Sequence, residues 1–129
     1  MGGDRAAFGL VYFEGLIMDM DVTDLGNNTV KIALHGRLDT PGVDQIETRF
    51  SATIVPKGKH AIVDLSDVPF VASMGLRMFI SVGRAVSGKD GKLVLLNPQS
   101  LVNEVFANAA LSQIIPVVFD EQEALKLVA

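Results

Sequence analysis

A chain of 129 residues, 49% hydrophobic and 20% charged, is one domain's worth of sequence with enough apolar side chains for its own core, which excludes disorder as its main state. It has no cysteine, so disulfides, thiolate metal sites and a cysteine nucleophile are excluded together. Against 15 acidic residues stand only 11 basic ones, a formal charge of −4, without the basic excess that neutralising nucleic-acid phosphates requires.

Residues 1–16 read differently from the rest. Met1-Gly2-Gly3-Asp4 is a loose start, and Phe8, Leu10, Val11, Tyr12 and Phe13 form an apolar knot ahead of Met18 and Met20. Two readings stand open: a vector-derived remnant or upstream start, and a native arm that covers a sheet edge or a partner. Asp4, Arg5 and Glu14 interrupt any basic-plus-apolar leader pattern. The longest apolar runs, such as Leu93-Val94-Leu95-Leu96, fall far short of a membrane span. The expectation is a cytoplasmic protein without membrane insertion.

From residue 17 the pattern is regular. Strands at Ile17–Val22 and Thr29–Leu34 flank Asp24-Leu25-Gly26-Asn27-Asn28, and Val30, Ile32 and Leu34 alternate with Lys31, Ala33 and His35, which predicts a hairpin. Thr40 followed by Pro41 reads as a helix cap and first residue, with Val43, Ile46, Phe50 and Ile54 on one face and Pro56-Lys57-Gly58 as the stop. Ala61–Leu65 is a short apolar strand of the kind buried on both faces. Ser73 is placed to cap a second helix, with Leu76, Phe79, Ile80 and Gly83 as its buried stripe and Gly88 at its end. Asp90-Gly91 turns into a strand at Lys92–Leu96, and Asn97-Pro98 repeats the cap-plus-proline start. Val102, Val105, Phe106 and Ala109 form a third helical stripe. Ile114–Phe119 is a last strand, marked by Pro116 as an edge or strand start, and Asp120 with Glu123 resembles a capping box before Ala124, Leu125 and Val128. The order ββ-α-β-α-β-α-β-α implies a single α/β domain with a mixed, mostly parallel sheet of about five strands and about four helices.

Few residues offer chemistry. His35 stands on the polar face of its strand and His60 at a strand start, so both read as surface histidines rather than bases. Asp64 ends a buried strand, where α/β folds often place ligands, yet Asp64, Ser66 and Asp67 equally form a polar turn bonded to nearby backbone. No glycine-rich phosphate loop precedes a helix. No metal or cofactor is expected. The segment Asp64 to Leu76 stands out because a strand runs through a loop that delivers Ser73 to a helix start. The unpaired N–H groups there can hold an anion, including a phosphate on a hydroxyl, or Ser73 is simply the cap.

The chain resembles the STAS domain (sulfate transporter and anti-sigma factor antagonist) over residues 17–129. The resemblance rests on Gly36-Arg37-Leu38-Asp39-Thr40, on Ile62-Val63-Asp64-Leu65 leading to Phe70-Val71-Ala72-Ser73-Met74-Gly75-Leu76, on Gly91–Leu96, and on the closing stretch from Val105-Phe106 to Leu125. It implies a STAS-like fold and a non-enzymatic, protein-binding, partner-switching module of bacterial transcription control. Its partner would be an anti-sigma factor or switch kinase. Two alternatives are an accessory subunit that binds a transporter ATPase and a small-ligand or nucleotide binder. The resemblance assigns partner contact to Asp39, Thr40, Ser73, Met74, Gly75, Leu76 and Arg77. It also exposes two departures. Ala72 stands where the family usually has Asp. Met74 stands at the phosphoacceptor, and a thioether has no hydroxyl to phosphorylate. Ser73, next to it, is the adjacent possible acceptor, although a side chain engaged as a cap would accept poorly. At the first turn Met74 is expected to be exposed, and Met78 to be core.

Overall fold

The computed structural model describes residues 18–129. The expected extension at residues 1–16 and the start of the first strand at Ile17 lie outside the described residues.

Two asparagines make the first reversal. Asn27 and Asn28 hold φ of +53° and +58°, left-handed values that asparagine tolerates, and two in succession match the twist of a hairpin. They join β1 (Asp19–Gly26) antiparallel to β2 (Thr29–His35). The first strand therefore runs on past Val22 to Gly26. Leu25 is left over between the pairs Asp24–Val30 and Gly26–Thr29, a bulge that Gly26 at φ +79° makes possible.

Strands and helices then alternate: α1 (Thr40–Ile54), β3 (His60–Asp67), α2 (Ser73–Ser87), β4 (Leu93–Leu96), α3 (Ser100–Asn108), a 3-10 turn (Leu111–Gln113), β5 (Val117–Val118) and α4 (Glu121–Val128). The sheet order is β1-β2-β3-β4-β5, with β2 to β5 parallel. Each crossover steps the same way across the sheet, and parallel crossovers share one hand, so α1, α2 and α3 share one face. That face is built from Val30, Ile32 and Leu34 of β2, Ala61, Val63 and Leu65 of β3, and Leu93 and Leu95 of β4. The other face carries Ile62, Val94, Leu96 and Val118 beneath Ala124 and Val128 of α4. Covered on both sides, β3 and β4 read as nearly continuous apolar runs. Beyond α4, β2 turns Lys31, Ala33 and His35 outward, and so it alternates.

Each of the three large helices gives one phenylalanine to the core. Phe50 meets Phe79 edge-on at 6.0 Å and 67°, and Phe79 meets Phe106 at 6.4 Å and 82°. Each such pair contributes about 0.5–1.5 kcal/mol beyond area burial. Helix side chains also close the outer edge of the hairpin: the Met18 N–H donates to Gln45 Oε1 at 2.6 Å, and Arg49 Nη2 donates to the Met20 carbonyl at 2.8 Å. Filling edge groups in this way blunts a strand that would otherwise invite pairing.

Several boundaries differ from those expected. The buried residues of α2 are Gly75, Met78, Phe79, Val82 and Val86, with Leu76 and Ile80 only half-buried. The stripe is rotated because the small Gly75 takes the position of closest approach. Gly88 ends α2 as its C-cap, as expected, but with φ −65°; the left-handed residue of the reversal that follows is Asp90 at φ +65°. Helix α3 starts at Ser100 with Gln99 as its cap residue, since Asn97 at φ +56° is still in the loop, and Ala109 is an exposed C-cap. Of Ile114–Phe119 only Val117–Val118 pairs as a strand. Pro116 offers β4 its carbonyl, which accepts from the Leu95 N–H at 2.9 Å, but it has no N–H of its own.

Candidate functional site

Parallel strands end on the same side of a sheet. The ends of β2 and β3 therefore deliver two neighbouring loops, residues 36–39 and 68–72, to the starts of α1 and α2. The loops extend the pairing of their strands. The Gly36 N–H donates to the Asp67 carbonyl at 3.1 Å, the Leu38 N–H to the Phe70 carbonyl at 2.8 Å, and the Ala72 N–H to the Leu38 carbonyl at 2.9 Å. Leu38 and Val71 pair as a parallel bridge, and both are buried. This stitching sets Asp39 and Thr40 beside Ala72 and Ser73.

The two helix starts are built differently. Asp39, not Thr40, caps α1: its Oδ1 accepts from the Gly42 N–H at 2.9 Å, and Thr40 is the first helical residue, exposed to solvent. Gly42 is required by close approach, since a Cβ there would lie 2.0 Å from the Arg37 carbonyl oxygen. Helix α2 begins after Ala72, which has no side-chain cap to offer. Ser73 is thus the first helical residue and not the cap; it is exposed. Gly75 lets α2 press on both loops, where a Cβ would meet Val71 Cγ1 at 3.0 Å and the Leu38 carbonyl oxygen at 3.2 Å.

Around this seam Met74 is half-buried and packs on the core, less exposed than expected, while Met78 is core as expected. Leu76 is half-buried and Arg77 exposed. Two further residues belong to the surface. The Arg37 guanidinium lies 4.3 Å from the centre of the Phe70 ring, and its Nε donates to Asp39 Oδ2 at 3.3 Å. An arginine held by a ring and a carboxylate has surrendered much of its side-chain freedom, a property of side chains that anchor interfaces. The signal in the sequence was an aromatic residue, Phe70, in the short loop after Pro69.

Beneath the seam, on the open face of the sheet, His35 Nδ1 lies 2.7 Å from Asp67 Oδ2 and Nε2 lies 2.9 Å from Asp21 Oδ2. Partial burial pulls the imidazole pKa down. The hydrogen bonds from Asp67 and Asp21 and the charges of both carboxylates outweigh it, leaving the pKa raised above its usual 6.5. His35 is therefore clasped rather than free at the surface. His60 Nδ1 accepts from the Lys92 N–H at 3.1 Å, tying β3 to the start of β4. Asp64 Oδ1 accepts from the Ser66 N–H at 3.0 Å, the local backbone bond foreseen for it, but Ser66 and Asp67 belong to β3 rather than to a turn. Among the described residues no cluster of three or more His, Cys, Asp or Glu is arranged to hold a metal ion, and no helix is long and apolar enough to cross a membrane.

Comparison with known proteins follows the same lines. BtrV of Bordetella bronchiseptica is 26% identical over 91 residues, 70% of this chain and 78% of the relative. An anti-sigma F factor antagonist of Lysinibacillus sphaericus is 33% identical over 79 residues, 60% of this chain and 68% of the relative. The solved structure of SpoIIAA from Bacillus, an anti-sigma factor antagonist in its unphosphorylated form, shares the fold with a TM-score of 0.68 at 23% identity, over 84% of this chain and 96% of that one. The model of the STAS domain matches residues 20–124, a span that takes in the hairpin, both stitched loops and the start of α4. This chain, with its anti-sigma factor antagonist-like fold, belongs to the STAS domain family.

Proposed function

We propose that the chain is an antagonist-type interaction module that docks an anti-sigma factor or a related switch kinase through the seam between its two loops. Asp39 and Thr40 would contribute from the α1 start, and Ser73, Met74, Gly75, Leu76 and Arg77 from the α2 start, with residues 17–129 as the working domain and residues 1–16 as an extension to it. The observation that carries this reading is the stitching of the loops into one surface. It joins an exposed hydroxyl at each helix start to a half-buried methionine and to the restrained Arg37. The two relatives named as anti-sigma factor antagonists support the choice of partner class. Binding rather than catalysis is favoured because both ring nitrogens of His35 are engaged by carboxylates and His60 is committed to backbone.

SpoIIAA has been solved in both unphosphorylated and phosphorylated forms. A phosphate adds about −1.5 to −2 charges, enough to break a close-fitting interface. Met74 has no group to carry one. The module would then stay competent to bind, unless Ser73, exposed and free of capping duty, takes the phosphate instead.

The test is binding by calorimetry to candidate anti-sigma factors and switch kinases, followed by incubation with the kinase and ATP and intact-mass measurement. The expected outcome is a complex weakened by Asp39→Ala and Met74→Asp, and a wild-type mass that does not change. Met74→Ser should gain one phosphate. Binding indifferent to both substitutions would refute the site. Stoichiometric phosphate on the wild type would refute the lost switch, and peptide mapping would show whether Ser73 is the acceptor.

A further inference from the structure

The imidazole of His35 bridges three strands at the point where two of them release the stitched loops. His35 is the last residue of β2 and pairs in register with Asp67, the last residue of β3. Asp21 reaches it from β1. Loop 36–39 leaves directly after His35, and loop 68–72 directly after Asp67.

The other charged groups on this face of the sheet are few. On β1, Asp19 stands opposite His35 in register, and its Oδ1 accepts from the Met20 N–H. On β2, Lys31 pairs with Glu121 of α4. On β3, Asp64 bonds the Ser66 backbone. Arg37, two residues along, is engaged by Asp39 and Phe70. His35 is thus surrounded by carboxylates, and the nearest lysine on the same face is spent elsewhere.

Two carboxylates on one ring demand two donors. The imidazolium has two N–H groups and satisfies both. Neutral imidazole has one, so its other nitrogen presents a lone pair to an anionic oxygen. Losing the proton must therefore release one arm. We propose that His35 is a proton-operated latch: charged, it ties Asp21 to Asp67 and fixes the loops 36–39 and 68–72 against each other; neutral, it lets one carboxylate go and loosens that seam. The arms differ in where they lead. Asp21 sits within a paired strand, whereas Asp67 is the hinge from β3 into the loop, and its carbonyl accepts the Gly36 N–H. Regulation of docking by this latch rests on the function proposed above; the latch itself is a property of the free protein.

The experiment is therefore done on the free, full chain by NMR. Nitrogen and proton shifts of the His35 ring are followed against pH, together with the amides of Gly36, Leu38 and Ala72. The expected result is a ring that titrates above 6.5, with the three amides following the same midpoint. Their hydrogen-exchange protection should fall about tenfold across it, the equivalent of one charge-assisted hydrogen bond. In Asp67→Asn the ring midpoint should drop and the loop amides should cease to follow it. In Asp21→Asn the midpoint should also drop and the loop response should fade, because the neutral ring can then donate to Asp67 and accept from the introduced amide, so that deprotonation releases no arm. Loop amides that ignore the His35 titration in the wild type would overturn the latch, as would a ring midpoint unchanged in both variants. These outcomes involve no partner, so failure to bind an anti-sigma factor would count against the docking reading alone.

Discussion

The starts of α1 and α2 lie side by side and have the same length of helix behind them, 15 residues each, yet they are held by different means. The α1 start is specified locally. Asp39 caps it, Pro41 presets it, and Gly42 lets the Arg37 carbonyl in. The α2 start has no capping side chain and is held from outside, by the backbone bond from Ala72 to Leu38 and the fit of Gly75 against Leu38 and Val71. One helix start is fixed by its own sequence and the other by its neighbour. The difference leaves Ser73 with its hydroxyl uncommitted, and it makes the α2 start dependent on the integrity of loop 36–39.

The comparison can be broken most severely at Gly42. In Gly42→Ala the new Cβ would have to displace the Arg37 backbone, and overpacking against backbone costs about 3 kcal/mol. Urea unfolding should show that loss, and NMR should show the α2 start moving with it. Asp39→Ala removes the only side-chain cap of the pair and should cost about 1 kcal/mol, most of it recovered in Asp39→Asn. Ala72→Asp should do the reverse. Ala72 already has the extended backbone of a cap residue, φ −96° and ψ 178°, so an acceptor there should add somewhat less than about 1 kcal/mol in the same urea assay. An Ala72→Asp variant no more stable than the wild type would mean that the α2 start has no unmet demand for a cap.

A gentler test sharpens the comparison through pH. The folded-state pKa of His35 is raised, so the folded protein binds more protons than the unfolded chain between 6.5 and that higher value. The stability that His35 contributes is complete below pH 6.5 and is lost as pH rises through the folded pKa. The urea midpoint should therefore slide downward over that window in the wild type. His35→Gln, which cannot titrate, should flatten this part of the profile.

Much of the fold was legible in the sequence. The alternation of Val30, Ile32 and Leu34 marked a sheet with one open face, and the unbroken apolar runs of β3 and β4 marked strands covered twice. The starts of α1 and α2 were legible only to within a residue, because Thr40 and Ser73 are both good capping types and each helix begins one residue earlier, and the α3 start was placed two residues early because Asn97-Pro98 mimics a cap. The stripe of α2 was misplaced for a related reason: a glycine carries no hydrophobic signal, yet Gly75 is where the helix comes nearest its neighbour. The structure sets Asp39 and Thr40 beside Ala72 and Ser73 through backbone bonds between two loops distant in the chain. Arg37 over Phe70, and His35 between Asp21 and Asp67, depend on loops and strands far apart in the chain, and no local spacing announces them.

One feature of the sheet bears on how the molecule comes into being. Its strands lie in the order in which they occur in the chain. During synthesis each new strand therefore emerges to find its docking partner already made, and no strand need be inserted between two that have already paired. The hairpin, whose partners are closest in sequence, closes the shortest loop and can form first. Growth proceeds outward from it, one helix-and-strand unit at a time, ending at the short β5 and its covering helix. Once α1 has followed the hairpin, such a chain exposes one unfinished edge at a time, because Gln45 and Arg49 of that helix seal the other behind it.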